Sequence, residues 1–316
     1  MDTQDLSLGD QAQDKDERNA QAVKHWGPKW LLNAARNHAD YYSDRGSTVG
    51  TYFGTCYRRP IAICGLGPSL NDSLDQMQGR GDDAGLLFMA STSAAKILEG
   101  YGRPADFLAL FHCDASVMGH FDGLPKRPRI LFSTTSAQPE AIAAFRECSP
   151  GGTVIWHTMS HNGFPQVEAL RHMTPGITAI PNFGCVSNAM VILATLLGCN
   201  PLYLLGFDFA YTKDRYGATV PGVEPVSGEE EIRRKQCGKN PEEFFKRVDG
   251  VLTDHVMLGY RNSLDHVFKG LTNLQGIPVG ELAVNCSQGG LKLDAPEMSF
   301  GAALELEARR SGSCGY

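Results

Sequence analysis

The chain has 316 residues, 42% hydrophobic and 20% charged, with a formal net charge of −6 at pH 7. That balance argues against a broad nucleic-acid footprint, which needs clustered Lys and Arg to displace counterions. Residues 1–20 are polar rather than leader-like, and no apolar run reaches the roughly 18–20 residues that span a bilayer, so a cytoplasmic protein with no membrane span is expected. The nine cysteines are odd in number and lack a CxxC pair. They read as reduced core thiols rather than a disulfide frame or a zinc site.

In chain order, residues 1–22 lack a periodic apolar face and read as a disordered or loosely helical tail. Residues 23–55 carry Trp26, Trp30, Leu31, Leu32, Ala35 and Tyr41 mostly at spacings of three and four, which predicts a helical segment packed on the main body. Residues 56–310 then alternate. Strands are expected at 61–65, 85–91, 106–114, 129–135, 153–158, 201–209 and 277–285. Helices are expected to about 79, at 91–102, through Phe145, at 182–198, 253–271 and 300–310. The charged, Gly- and Pro-bearing stretch 213–250 reads as a lid, and 311–316 as a short tail. This alternation predicts an α/β, Rossmann-like domain: a mostly parallel sheet with helices on both faces.

The first strand runs directly into Gly65, Leu66, Gly67, Pro68 and Ser69. Glycines let a backbone approach a ligand closely, and a helix start offers N–H donors and positive dipole to a phosphate. The same residues also suit an ordinary tight strand-to-helix turn. The pattern lacks the GK[ST] of a P-loop and the third glycine of GxGxxG.

Other polar groups follow the remaining predicted strands: Thr92 with its serine neighbours, His112 and Asp114, Thr134 to Ser136, His157 to Asn162, and Asp208 to Tyr211. In an open parallel sheet these carboxyl ends form the ligand-binding rim. Asp114 and Asp208 read either as ligand contacts or as caps of the next turn. Candidate general bases are His112, His157, His161, His255 and His266.

Four stretches taken together carry a family resemblance: PIAICGLGPSLNDSLDQM, LLFMASTSAAKILEGYGRPADFLALFHCD, NFGCVSNAMVILATLLGCNPLYLLGFDFAYT and LAVNCSQGG. In order and spacing they resemble the motility-associated-factor glycosyltransferases and, in the same superfamily, the archaeal 6-hydroxymethylpterin pyrophosphokinases. The glycine turn and the third stretch are also similar to the Rossmann-like bacterial CMP-sialic acid sialyltransferases.

The latter resemblance implies a nucleotide held by Gly65–Ser69 and by the helix-opening residues Asn182, Phe183, Gly184 and Cys185. Thr92, Asp114 and Asp208 complete the expected nucleotide contacts. Tyr211 and Tyr216 would steady the departing phosphate, and His255 would deprotonate an acceptor hydroxyl. The implied activity is transfer of a sugar, such as a nonulosonic acid, from a CMP-activated donor to a glycan, protein or small molecule, with no cofactor required. The oligomeric state is left open.

The alternative is a pyrophosphokinase using ATP and magnesium, with Asp114 and Asp208 as ligands. The segment Asp214–Ala218 lacks the histidine usual in the motility-associated proteins, and the acidic pair of the pterin kinases is absent. A non-catalytic nucleotide-binding or assembly protein therefore stands as a third reading.

Overall fold

The computed structural model describes residues 8–43, 47–78, 85–160, 164–181, 184–212, 215–225, 227 and 245–313. Its centre is an eight-stranded sheet in the order β10-β7-β1-β2-β3-β4-β5-β6, and every pairing in it is parallel. The strands are β1 (Ile61–Cys64), β2 (Leu87–Ser91), β3 (Phe107–Leu110), β4 (Ile130–Thr134), β5 (Thr153–Ser160), β6 (Ala179–Pro181), β7 (Leu202–Leu205) and β10 (Ala283–Asn285). A separate antiparallel hairpin pairs β8 (Phe245–Val248) with β9 (Val251–Asp254).

The central strands β1, β3 and β7 are short, continuous apolar runs because both of their faces are covered. In β1, Ala62 and Cys64 face one core while Ile61 and Ile63 face the other, following the two-residue period of a strand. The first face is packed by α3 (Ser69–Asp75), α4 (Ala95–Gly100), α5 (Pro139–Cys148) and α10 (Phe300–Ser313). The second is packed by α7 (Val186–Leu196), α8 (His255–Gly270) and α9 (Val279–Leu282). In α7 every residue from Asn188 to Thr195 is buried. Each Leu, Ile, Val or Met so placed contributes roughly 1.5–3 kcal/mol, which holds the helix start that faces the candidate site.

Two remaining helices lie at the amino-terminal side: α1 (Leu8–Arg36) packs on α6 (Pro165–Met173), and α2 (His38–Ser43) follows. Asn33 Nδ2 donates to the carbonyls of Cys113 (2.8 Å) and Ser136 (3.2 Å). One turn on, Asn37 Nδ2 donates to those of Thr135 (3.0 Å) and Ala137 (2.9 Å). The loops that leave β3 and β4 are thus bound to α1.

Three predicted strands are much shorter than expected. The run 106–114 stops at Leu110, because the chain turns into the loop that Asp114 caps, and 201–209 stops at Leu205, where Gly206 turns the chain at φ +66°. The run 277–285 begins as the single-turn helix α9 and becomes a strand only at Ala283.

Candidate functional site

The chain winds from β1 to β6 on one side of β1 and then places β7 and β10 on the other. The crevice over the carboxyl ends of β1 and β7 is therefore a topological switch point, where open α/β sheets bind ligands. Here the two strand ends are tied together. Gly65 N donates to the Leu205 carbonyl (2.8 Å) and Gly67 N to that of Gly206 (2.9 Å). Ser69 gives both its backbone N–H (3.1 Å) and its hydroxyl (2.8 Å) to Asp208 Oδ2.

A Cβ on Gly67 would lie 2.1 Å from that carboxylate oxygen, and one on Gly65 would lie 2.5 Å from the Gly206 carbonyl. Glycine is needed at both positions because β7 approaches so closely. Asp208 is 1% exposed. Burial pushes its carboxyl up to about 6, against the opposing pull of the hydrogen bonds from Ser69 and Thr212. The Ser69 donors at the start of α3 are therefore occupied by a side chain of this chain.

The first turn of α7 stands beside this turn, with Ser187 Oγ 3.3 Å from the position of a Gly65 Cβ. Gly184, at φ +75°, packs against the Tyr260 ring, which a Cβ there would approach to 3.1 Å. Asn188 Nδ2 donates to the Tyr260 carbonyl at 2.9 Å, while Asn188 Oδ1 is buried and unpartnered among the described residues. Burial raises the Cys185 thiol at the head of the helix. Asn182 and Phe183 lie outside the described residues.

The third wall is aromatic and acidic. Tyr211 donates its hydroxyl to Asp254 Oδ2 at 2.8 Å. Its ring lies 6.1 Å from that of Tyr216 and 5.6 Å from that of Phe245. Asp254 caps α8 by accepting from Met257 N at 2.7 Å, which makes His255 the first residue of that helix. The Tyr260 hydroxyl is pushed up to about 12 by burial, with Cys185, Asp254 and Tyr216 adding to the shift. Tyr211, Tyr216, Asp254 and Tyr260 thus gather near the head of α7, and His255 is the residue that follows Asp254. Part of the segment expected to be a lid closes the other side. Ala218 N donates to the Leu66 carbonyl at 2.9 Å, and Asn71 exchanges two hydrogen bonds with the Thr219 backbone.

The polar groups after β2 and β3 form a separate neighbourhood. Thr92 Oγ1 hydrogen-bonds His120 Nδ1 at 3.0 Å. Asp114 caps the 3-10 helix Ala115–His120 through Ser116, whose side-chain and backbone hydrogen bonds, with nearby His112 and Lys29, hold its carboxyl below its ordinary range. His157 is wholly buried against Phe111, and that burial pushes its imidazole down to about 3. It is therefore neutral and enclosed, not a solvent-facing base. His161 lies outside the described residues. His266 is exposed on α8 and bonds the Asn262 carbonyl.

Sequence reasoning passed over Asn188, Asp254 and Tyr260, and also the loop after β10. In that loop Ser287 Oγ accepts from Phe207 N at 2.7 Å, and Leu291 N donates to the Asp208 carbonyl at 2.8 Å. A Cβ on Gly290 would lie 2.4 Å from the same carbonyl. Beside this contact opens a polar cavity of about 540 Å³, whose lining includes Ser287, Gln288, Lys292 and Glu297. The motif LAVNCSQGG was its visible signal. Among the described residues, no helix is long and apolar enough to cross a membrane.

A structure of the MAf glycosyltransferase from Magnetospirillum magneticum AMB-1 superposes with a TM-score of 0.53 at 18% identity, covering 84% of this chain. At that identity the likeness is one of fold, and this chain spans 41% of the length of that one. No curated protein matches at the level of sequence. Residues 32–214 match the family described as 6-hydroxymethylpterin diphosphokinase MptE-like, a span that takes in the glycine turn, the α7 head and the β7 end that build the crevice. That match takes in more than half of the chain, which therefore belongs to the MptE-like family.

Proposed function

We propose that the crevice holds the nucleotide of a CMP-activated sugar and that the protein transfers the sugar to an acceptor hydroxyl. The observation that carries this reading is the meeting of the Gly65–Ser69 turn, the head of α7 and the Tyr211–Tyr216–Tyr260 group at one switch point. The first-turn amides of α7 and the helix dipole would face the phosphate, and tyrosine hydroxyls would stabilise its charge as the sugar leaves. Asn188 Oδ1, unpartnered among the described residues, is a further acceptor at the same helix head. His255, the residue after Asp254 at the start of α8, would take the proton of the acceptor hydroxyl. The cavity beside Ser287 and Lys292 has the polar lining that a hydroxylated acceptor needs. The likeness in fold to a glycosyltransferase supports this reading.

The family description favours a second reading, transfer of diphosphate, a chemistry that would call for magnesium. Asp114 and Asp208 do not suit a shared ion. They follow β3 and β7, which are three strand spacings or about 14 Å apart, whereas magnesium takes oxygens at about 2.1 Å. Each carboxylate is also engaged, by Ser116 and by Ser69 respectively.

The readings separate by thermal shift. Under sugar transfer, CMP without magnesium raises Tm and outperforms ATP, and His255→Ala abolishes transfer while leaving the CMP shift in place. A shift with ATP and magnesium alone would sink the proposal in favour of the kinase. Silence with every nucleotide would favour a non-catalytic assembly protein.

A further inference from the structure

Away from the crevice, residues 54–59 run alongside 196–200, the connection from α7 to β7. Four backbone hydrogen bonds join them: Gly54 N to Leu196 O (3.0 Å), Cys56 N to Leu197 O (2.9 Å), Arg58 N to Gly198 O (2.9 Å) and Asn200 N to Arg59 O (2.9 Å). The Gly198 Cα is backed so closely that a Cβ there would meet the Tyr57 Cα at 3.2 Å and the Gly54 Cα at 3.3 Å. Within this ladder the thiols of Cys56 and Cys199 hydrogen-bond each other, and both are free. The backbone hydrogen bonds, the close backing of Gly198 and the thiol–thiol hydrogen bond together hold the two cysteines side by side, as disulfide formation requires.

The two sulfurs are not equivalent. The hydrogen bond from Cys199, helped by Thr55 and by the charge of Arg59, holds Cys56 below the ordinary thiol range, while Cys199 is held above it. Burial moves Cys64, Cys113, Cys148 and Cys286 the other way, which leaves them inert core thiols, and it also raises the half-buried Cys185. Cys56 is 8% exposed and Cys199 1%, so a small oxidant meets Cys56 first.

We propose that Cys56 and Cys199 form a dithiol–disulfide site that takes a hydroperoxide as its oxidant and, once oxidised, pins the segment after the amino-terminal helices to the α7–β7 connection. The Cys56 thiolate attacks a peroxide oxygen, breaking the O–O bond to give a sulfenic acid and, with hydrogen peroxide, water. The Cys199 sulfur then attacks the Cys56 sulfur, and the S–OH bond breaks as the Cys199 proton leaves with hydroxide as a second water. Two thiols and one hydrogen peroxide become one disulfide and two waters, each sulfur losing one electron to the peroxide.

The test uses the full chain exposed to a small excess of hydrogen peroxide, alkylated, digested without reductant and mapped by mass spectrometry. A Cys56–Cys199 linked peptide is expected, two hydrogens lighter than the sum of its parts and lost on adding dithiothreitol. Closing so long a loop should raise Tm by about 5–10 °C, reversibly with reductant, and the rise should vanish in Cys199→Ser. Recovery of both cysteines as alkylated thiols would overturn the proposal. So would a Cys56 sulfinic acid beside an untouched Cys199. The peptide map is made on the wild-type chain, so it decides the matter even if the variant fails to fold.

Discussion

Asp208 accepts both the backbone N–H and the hydroxyl of Ser69, joining the end of β7 to the last residue of the glycine turn across 139 positions of sequence. A carboxylate of the protein thus meets the polar groups that a phosphate would otherwise attract, and the α7 head is left as the longer helix terminus facing the crevice. Four predictions rest on this and the neighbouring contacts.

Ionisation of Asp208 should cost stability. Its folded-state value, about 6, lies above the ordinary 3.8 because burial disfavours the charge. Between those values the folded chain holds the proton that the unfolded chain has released. Stability should therefore fall as pH rises from 4 to 7, by roughly 3 kcal/mol from this group alone. Urea denaturation across that range should show the slope in the wild type and its loss in Asp208→Asn. Equal slopes would refute the assignment.

Gly67→Ala should cost about 2–4 kcal/mol, because the new methyl would meet the Asp208 carboxylate and the Gly206 carbonyl, neither of which has room to retreat. Gly259→Ala is the contrasting case. It lies inside α8 with nothing within 4 Å of a Cβ, so it should stabilise by about 0.5–1 kcal/mol. Similar effects from the two changes would mean that the turn is not sterically closed.

Removing the Tyr211 hydroxyl as Tyr211→Phe should lower stability by about 1–3 kcal/mol, since Asp254 is buried and loses a donor. A thermal melt identical to that of the wild type would instead assign the hydroxyl to the phosphate alone.

Asn33→Ala and Asn37→Ala should each cost about 2–4 kcal/mol, because each strands two backbone carbonyls that now have a donor. Leucine at either position should not restore the loss, though it would refill the space. Full rescue by leucine would show that packing, not hydrogen bonding, holds α1 in place.

The sheet was legible because its central strands are unbroken apolar runs ended by glycine or by polar groups, and Ile61–Cys64 and Leu202–Leu205 fall inside the predicted spans. The run 277–285 differs in its first half, since a short apolar stretch carries no period long enough to separate one helical turn from a strand. β6 has three residues and left no pattern to find. Within the crevice, the glycine turn and the head of α7 could be read from local sequence. The pairing of Ser69 with Asp208 could not, nor that of Tyr211 with Asp254 or Asn188 with Tyr260, because each joins segments whose separation only the fold removes. Asn33 and Asn37 were hidden for a related reason: polar residues on a helix look like its wetted side until their acceptors are known.

The amino-terminal helix has a consequence for how the molecule is made. Its Asn33, with Asn37 just beyond its end, reaches acceptors 80 to 103 residues further along the chain. The helix leaves the ribosome ahead of every strand of the sheet, and until β3, β4 and β5 have assembled these side chains have no carbonyls to bind. Closing so large a loop comes before the contacts that reward it, which puts the docking of this helix late in folding, after the sheet it braces has formed.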